Sequence, residues 1–224
     1  MRLEWIKNLY FSTLKPAIYG QNKAMKSIKY RKPGKMNEWD ILPLEACLHE
    51  HHRLTSWQRL CEDTYRATYL PAFPETDIEA YIARHFQEEA LLQWARSDKH
   101  KGWLACHEGE VVGYVLLHLG VAPGGQDDRQ QICLDKFYVS VAYQGRGVAA
   151  ALWQQVLDYV RQEGYKRLWL ITWRENGRAI RFYEKAGFRI AGSYPFRLGE
   201  RTYCDHLMVF EVEEARQNKH RLSG

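Results

Sequence analysis

Apolar positions along the chain follow two periods, one helical and one of strands. Residues 41–48 form a nearly continuous apolar stretch and predict a first strand. Helical spacing follows. Trp57, Leu60, Cys61 and Tyr65 share a face behind a cap at Thr55 or Ser56. Ile78, Tyr81, Ile82 and Phe86 share another behind Thr76 or Asp77, and 88–94 continue the helical pattern. Between the first two helices lies Tyr69-Leu-Pro-Ala-Phe-Pro74, a turn-rich aromatic loop of the kind that carries specificity on a rigid scaffold. Residues 103–106 and 111–118, joined across Glu108-Gly109-Glu110, read as a β-hairpin. A mobile loop is expected over 121–131, where Pro123-Gly-Gly125 and Asp127-Asp128 fall.

The second half has a sharper rhythm. Phe137-Tyr138-Val139 closes a strand, and Gln144-Gly145-Arg146-Gly147 makes a loop. Val148, Leu152, Val156, Tyr159 and Val160 then recur at helical spacing up to Gly164, placed as a C-terminal cap. The apolar run 168–173 reads as a buried strand, and a right-handed crossover sets it parallel to the strand ending at Val139. Asn176 suits a helix N-cap, Ala179, Ile180 and Tyr183 share a face, and Gly187 ends the helix. Residues 189–193 and 203–212 form a last antiparallel pair across Leu198-Gly-Glu-Arg201. Strand, helices, hairpin, strand, helix, strand, helix and two strands make a mixed α/β sheet.

Composition refines this picture. With 224 residues and 46% hydrophobic content, one domain with an extension is expected. Residues 1–35 hold nine Lys/Arg against the single acid Glu4, so they carry +8 and the remainder of this +5 chain stands at −3. The chain is therefore divided into a basic leader over 1–40, a folded domain over 41–212 and a polar tail over 213–224. No nucleic-acid partner is expected, since such a role would rest on the leader alone. Leu3, Ile6, Tyr10 and Leu14 can share one face of a short helix ended by Pro16 and Gly20, which suits a surface-binding helix or a transit peptide. Lys7 and Lys15 argue against a secretory signal. Met36 also reads as a natural start, so the leader is expected to be disordered or outside the working protein.

The five cysteines are odd in number and form no C-x-x-C pair, which points to reduced thiols in a cytoplasmic protein. No run has the length of a membrane-spanning helix, so no stable membrane insertion is expected. His49, His51 and His52 lack the cysteine or acid spacing of a metal set, no metal is expected, and the cluster reads as a solvated turn or strand end.

The candidate chemistry sits in the glycine loop. Strand, glycine loop and helix is the layout of an anion site: the first helical turn has N–H groups without intrahelical partners, and the helix dipole adds positive charge. Glycine lets a phosphate approach those groups, and Arg146 can add a bidentate contact. A plain strand–helix turn, with glycine only relieving strain, is the alternative. Gly145-x-Gly147-x-x-Ala150 also fits the dinucleotide fingerprint, but Ser140 to Tyr143 intervene and about 60 residues follow the helix, too few for a doubly wound series.

Gln144-x-x-Gly147-x-Ala149 resembles the acetyl-CoA pyrophosphate loop of the GNAT superfamily of N-acetyltransferases. Downstream, Asn176-x-x-Ala179-x-x-Phe182-Tyr183-x-x-x-Gly187-Phe188 resembles the second signature of that superfamily, at the expected distance. The resemblance covers about 41–212 and implies a mixed, mostly antiparallel sheet with helices on both faces and one parallel strand pair at the acetyl-CoA site. It implies an acyltransferase that moves acetyl from acetyl-CoA, its cosubstrate, to a primary amine by direct attack. Within the superfamily the chain is most similar to bacterial spermidine/spermine N-acetyltransferases. That similarity rests on Glu62-Asp-Thr-Tyr-Arg-Ala-Thr-Tyr69, Glu79-Ala-Tyr-Ile, Leu168-Trp-Leu-x-x-Trp173-x-Glu175-Asn176, and Phe196-x-Leu-Gly199 before Asp205-x-Leu-Met208. Arg201-Thr-Tyr-Cys204 departs from it, because that group is more acidic there.

The resemblance also assigns roles. Backbone groups of Phe137, Tyr138 and Val139 pair with the pantetheine arm. Gln144, Gly145, Arg146, Gly147, Val148, Ala149 and Ala150 form the pyrophosphate loop, and Asn176 bonds the pantetheine. Tyr183 stands where the family places the acid that protonates the departing thiolate; packing beside Phe182 is the alternative. Asp135 matches an acidic position of the polyamine group. It can accept the amine proton, bind a cationic substrate, or pair with Lys136 or Arg129. Glu62, Asp63, Glu75, Asp77 and Glu79 are candidate carboxylates for a cation, or a solvated face. The expected acceptor is a polyamine or other small amine. Acetylation of protein N-termini or lysines, and an acyl-CoA-binding module without catalysis, are the alternatives, and a homodimer agrees with the family habit.

Overall fold

The structure is a computed structural model and describes residues 39–199 and 201–212. Residues 1–38 of the leader, with its expected helix and the Met36 start, lie outside the described residues, as does the tail from 213. Trp39 and Asp40, expected in the leader, belong to the fold, where Trp39 is buried in the core and Asp40 opens the first strand. Strand β1 (Asp40–Pro43) leads into a short 3-10 helix, Leu44–Leu48. Three helices follow: α1 (His51–Tyr69), α2 (Glu75–His85) and α3 (Glu88–Arg96). Then come β2 (His100–His107), β3 (Glu110–Val121) and β4 (Asp127–Val139). Helix α4 (Val148–Gln162), β5 (Arg167–Thr172), α5 (Gly177–Lys185), β6 (Arg189–Leu198) and β7 (Arg201–Glu211) complete the order.

The seven strands form one sheet in the order β1-β2-β3-β4-β5-β7-β6, antiparallel throughout except for the parallel pair β4–β5. Glu108 and Gly109 both take positive φ, 51° and 86°, as a two-residue hairpin turn matching the strand twist requires. β6 lies at the sheet edge, where Pro195 costs no ladder hydrogen bond on its outer side.

Period-2 alternation divides the core. Val115, Leu117, Ile132, Leu134, Leu168, Leu170 and Met208 pack with Val148, Leu152, Val156 and Val160 of α4 and Tyr183 of α5. On the other face Trp57 of α1, fully buried, meets Tyr114 of β3 and Trp94 of α3 with ring centroids 6.0 and 6.3 Å away. Ser56 anchors α1 to the hairpin: its hydroxyl donates to Glu110 at 2.6 Å and accepts from the Val111 N–H at 2.9 Å.

Several expected boundaries are corrected. The strand expected over 41–48 stops at Pro43, which cannot continue the ladder, and the chain turns into the 3-10 helix. Its Leu44 presses on β2 so closely that a Cβ on Gly102 would lie 2.7 Å from Leu44 Cδ1. α1 begins at His51, so Thr55 and Ser56 lie inside it; Thr55 bonds back to the His51 carbonyl at 3.1 Å. Of the histidines read as a turn or strand end, His49 lies in the bend after the 3-10 helix, while His51 and His52 open α1, where His52 pairs with Glu110 at 3.1 Å. α2 starts at Glu75 after Pro74, ahead of Thr76 and Asp77. The loop expected over 121–131 shrinks to a turn closed by Ala122 N–H to Gln126 O at 2.9 Å, and β4 begins at Asp127.

Truncating the Trp57 ring opens a cavity at the junction of α1, α3 and the sheet. Trp57→Ala is expected to lower unfolding free energy by about 3–5 kcal/mol, read as a lower urea midpoint with an unchanged slope.

Candidate active site

The site is built where two parallel strands part. β4 pairs with β5 at Gln131↔Arg167, Ile132↔Leu168 and Cys133↔Trp169, and there the pairing ends. β4 runs on to Val139, held by β3 through Gly113↔Val139, while β5 runs on to Thr172, held by β7 through Thr172↔His206. The edge of β4 that carries Phe137, Tyr138 and Val139 therefore faces a wedge with no strand partner from β5. A bulge adds to the divergence: Leu116 pairs with Lys136 and Leu117 with Leu134, which leaves Asp135 as the extra residue.

The glycine loop stands at the mouth of this wedge. Val141–Tyr143 form a 3-10 turn, and Gly145 and Gly147 follow with φ of 78° and 92°. A Cβ at either would meet nothing within 4 Å, so the backbone conformation, not crowding, demands glycine, and the space before the loop is open. Gly147 is the N-cap of α4 and offers no side-chain cap to the amides of Val148, Ala149 and Ala150. A second glycine seats the helix. A Cβ on Gly113 would lie 2.9 Å from Val148 Cγ1 and 3.2 Å from Leu152 Cδ1, so the first turn of α4 rests on β3 beside the end of β4.

Gln144 locks loop to strand, donating from Nε2 to the Val139 carbonyl at 3.1 Å and accepting from Arg178 of α5. Arg146 lies over the Tyr143 ring, 5.4 Å from its centroid. Asn176 caps α5, its Oδ1 accepting from Ala179 N–H at 3.2 Å, which leaves its amide NH2 for another partner.

Tyr183 is 8% exposed and packs at 5.5 Å from Phe188, 5.6 Å from Phe182 and 6.5 Å from Phe137. Burial pushes its phenol above the usual tyrosine range. Its ring neighbour Phe137 lies on the part of β4 beyond the pairing with β5, which sets the tyrosine beside the wedge. Asp135 forms an ion pair with Lys136 at 3.0 Å, and Lys136, only 9% exposed, also lies 5.9 Å over the Trp94 ring.

Three of the candidate cation-binding carboxylates surround an arginine between α1 and α2: Arg66 takes Glu79 through two bonds of 2.7 and 2.8 Å and Glu62 at 3.3 Å, with Asp63 4.0 Å away. Asp77 abuts the β6–β7 turn, where a Cβ on Gly199 would lie 2.5 Å from its Oδ1. Instead, the loop after α1 brings aromatic rings to the end of β5: Tyr69, Phe73, Trp173 and Tyr203 are linked ring to ring at 4.9–6.1 Å. Among the described residues Asp205 is the one buried acid. Sequence reasoning gave no role to it or to Arg178; the signal for Asp205 is an acid in register with apolar Leu207 and Val209 on the inner face of β7. Among the described residues no group of three His, Cys, Asp or Glu can hold a metal, and no helix is long and apolar enough to cross a membrane.

Comparison with known proteins agrees with this geometry. The chain is 34% identical over 142 residues to an uncharacterised N-acetyltransferase of Mycobacterium tuberculosis, covering 63% of this chain and 86% of that protein. It is 28% identical over 104 residues to the spermine/spermidine N(1)-acetyltransferase of Bacillus subtilis, covering 45% of this chain and 66% of that one. The fold is shared with the PaiA N-acetyltransferase of Thermoplasma acidophilum, solved in complex with coenzyme A, at a TM-score of 0.59 and 17% identity over 77% of this chain and 99% of that chain. Residues 55–188 match the Acetyltransferase (GNAT) family, and the chain belongs to that family of acyltransferases.

Proposed function

We propose that this acetyltransferase moves the acetyl group of acetyl-CoA to the primary amine of a small molecule, within a working domain over 41–212. The observation that carries this reading is the wedge between β4 and β5, with the glycine loop at its mouth and Tyr183 beside Phe137. Polyamines are the acceptor class favoured by likeness to the Bacillus subtilis protein. Free thiols at all five cysteines suit a cytoplasmic setting.

The unpaired edge of Phe137, Tyr138 and Val139 offers backbone N–H and C=O groups that an extended pantetheine can join as an added strand. A backbone N–H there also polarises the thioester carbonyl. The amides at the start of α4 and the open glycines suit a pyrophosphate, and Arg146 needs only to leave the Tyr143 ring to add a charge. The Asn176 side chain, whose Oδ1 caps α5, keeps its amide NH2 to donate to the pantetheine.

In the reaction the neutral amine nitrogen attacks the carbonyl carbon, a C–N bond forms, and the C–S bond breaks as the tetrahedral centre collapses. Tyr183 gives its proton to the departing sulfur, and the nitrogen loses its extra proton to solvent or a nearby base. A phenol held above its usual pKa stays protonated, as an acid must, and donates once thiolate charge develops beside it. The ion pair with Lys136 favours a structural part for Asp135, which braces the bulge that parts the strands.

Two variants test this site. Tyr183→Phe is expected to lower kcat by about 10²-fold or more while the acetyl-CoA dissociation constant stays nearly unchanged. Because burial raises the Tyr183 pKa, wild-type kcat keeps its alkaline plateau to about pH 10, the ordinary tyrosine value; a fall centred lower would contradict the assignment. Gly147→Val forces a β-branched residue into φ 92° and is expected to weaken acetyl-CoA binding about tenfold in titration calorimetry, at a stability loss of about 1–2 kcal/mol.

A further inference from the structure

The aromatic loop and the buried acid of β7 form one surface on the sheet face covered by α1 and α2. Tyr203 and Asp205 lie two residues apart on β7, and so on the same face, together with Leu207 and Val209. Trp173 follows directly on β5, whose Thr172 pairs with His206. The backbone N–H of Arg174 donates to the Asp205 carboxylate, which seats the acid beside the indole. From above, Tyr69 and Phe73 close the wall: Phe73 is 4.9 Å from Tyr203 and 5.2 Å from Trp173, and Tyr69 is 6.1 Å from Trp173.

Asp205 is 6% exposed, and its Oδ1 is fully buried with no hydrogen-bond partner among the described residues. A desolvated carboxylate oxygen without a partner is costly unless a ligand supplies the missing proton donor or positive charge. Neither neighbouring charge fills that place: the Arg174 side chain is exposed, and His206 projects from the opposite side of β7. Burial raises the Asp205 pKa even though the charges of Arg174 and His206 act to lower it. The same wall adjoins the reaction site: Tyr138, on the free part of β4, shares a hydrogen bond with Tyr69, whose ring lies 6.1 Å from Trp173 at the end of β5.

We propose that Asp205, with Tyr69, Phe73, Trp173 and Tyr203, is the site that selects the acceptor, and that it takes an amine with one cationic centre on an apolar, preferably aromatic, body. This rests on the acetyltransferase reading above and replaces the polyamine acceptor, which likeness to the Bacillus subtilis protein favours, with a monocationic amine. Aromatic faces attract an ammonium and an apolar body alike, and one carboxylate balances one positive charge. A polyamine would present several cations to this single acid, since Glu62 and Glu79 are already bound to Arg66. Asp205 here anchors the amine; it is a specificity-determining residue for the acceptor and has no part in holding the cosubstrate.

The test uses the full chain in a coenzyme A release assay with acetyl-CoA and two probes, phenylethylamine and spermidine. Phenylethylamine is expected to be used about tenfold more efficiently, by kcat/KM, than spermidine. Asp205→Asn is expected to raise the KM for phenylethylamine about tenfold or more, with the acetyl-CoA dissociation constant within about twofold of wild type, and Asp205→Glu to restore part of it. Tyr203→Leu, which leaves the acid in place, should raise the same KM and so guards against a fold defect in the Asp205 variants. Better use of spermidine, or a KM indifferent to Asp205→Asn in a protein that still binds acetyl-CoA, overturns the proposal. Acetyl-CoA binding with turnover of neither probe also overturns it and leaves the cosubstrate site standing. Absence of acetyl-CoA binding in the wild type overturns the acetyltransferase reading itself.

Discussion

Everything at this site depends on a parallel strand pair that is not completed. β4 and β5 share three residue pairs and then part, each kept extended by an antiparallel neighbour on its other side. A strand edge buried inside a sheet and left without a partner is unfavourable, because its N–H and C=O groups lose water without gaining hydrogen bonds. The wedge therefore invites an extended ligand, and the surroundings fit one. The bulge at Asp135 bends β4 away, and the Asp135–Lys136 pair fixes that bend against Trp94. Gly113 lets the first turn of α4 settle on β3 next to the strand end, which aims its amides at the same opening.

The two faces of the sheet divide the labour. One face carries α4 and α5, and with them the loop amides, Asn176 and the Tyr183 phenol. The other carries α1, α2 and the aromatic wall around Asp205. The wedge between β4 and β5 joins them, so that groups able to hold a cosubstrate and groups able to hold an amine meet at one gap. Tyr69 lies near the crossing, hydrogen-bonded to Tyr138 of β4 and 6.1 Å from Trp173 at the end of β5.

What the sequence makes legible here is what short-range chemistry decides. Asn176 caps its helix, and Gly164 and Gly187 take the positive φ that ends one, because those residues answer local backbone demands. The glycine loop and the order of strands and helices are equally local. Long-range pairing hides the rest. Arg66 and Glu79 lie on different helices, so no spacing rule reveals that they form an ion pair. Residues 127–131 are polar because the β3–β4 hairpin reaches toward solvent, and that polarity conceals a strand. Pro43 ends β1 within a run whose apolar character continues unbroken. The point at which β4 and β5 stop pairing is set by their outer neighbours, and no feature of either strand alone encodes it.

The most direct test of this account is amide hydrogen exchange of the full chain, resolved by peptide, with and without acetyl-CoA. The account predicts that acetyl-CoA slows exchange at Phe137–Val139 and at Gly145–Ala150 together, while β1 and β2, which lie away from the wedge, stay as they were. Protection elsewhere with no change in these two segments would contradict the claim that the parted strands are the acetyl-CoA site.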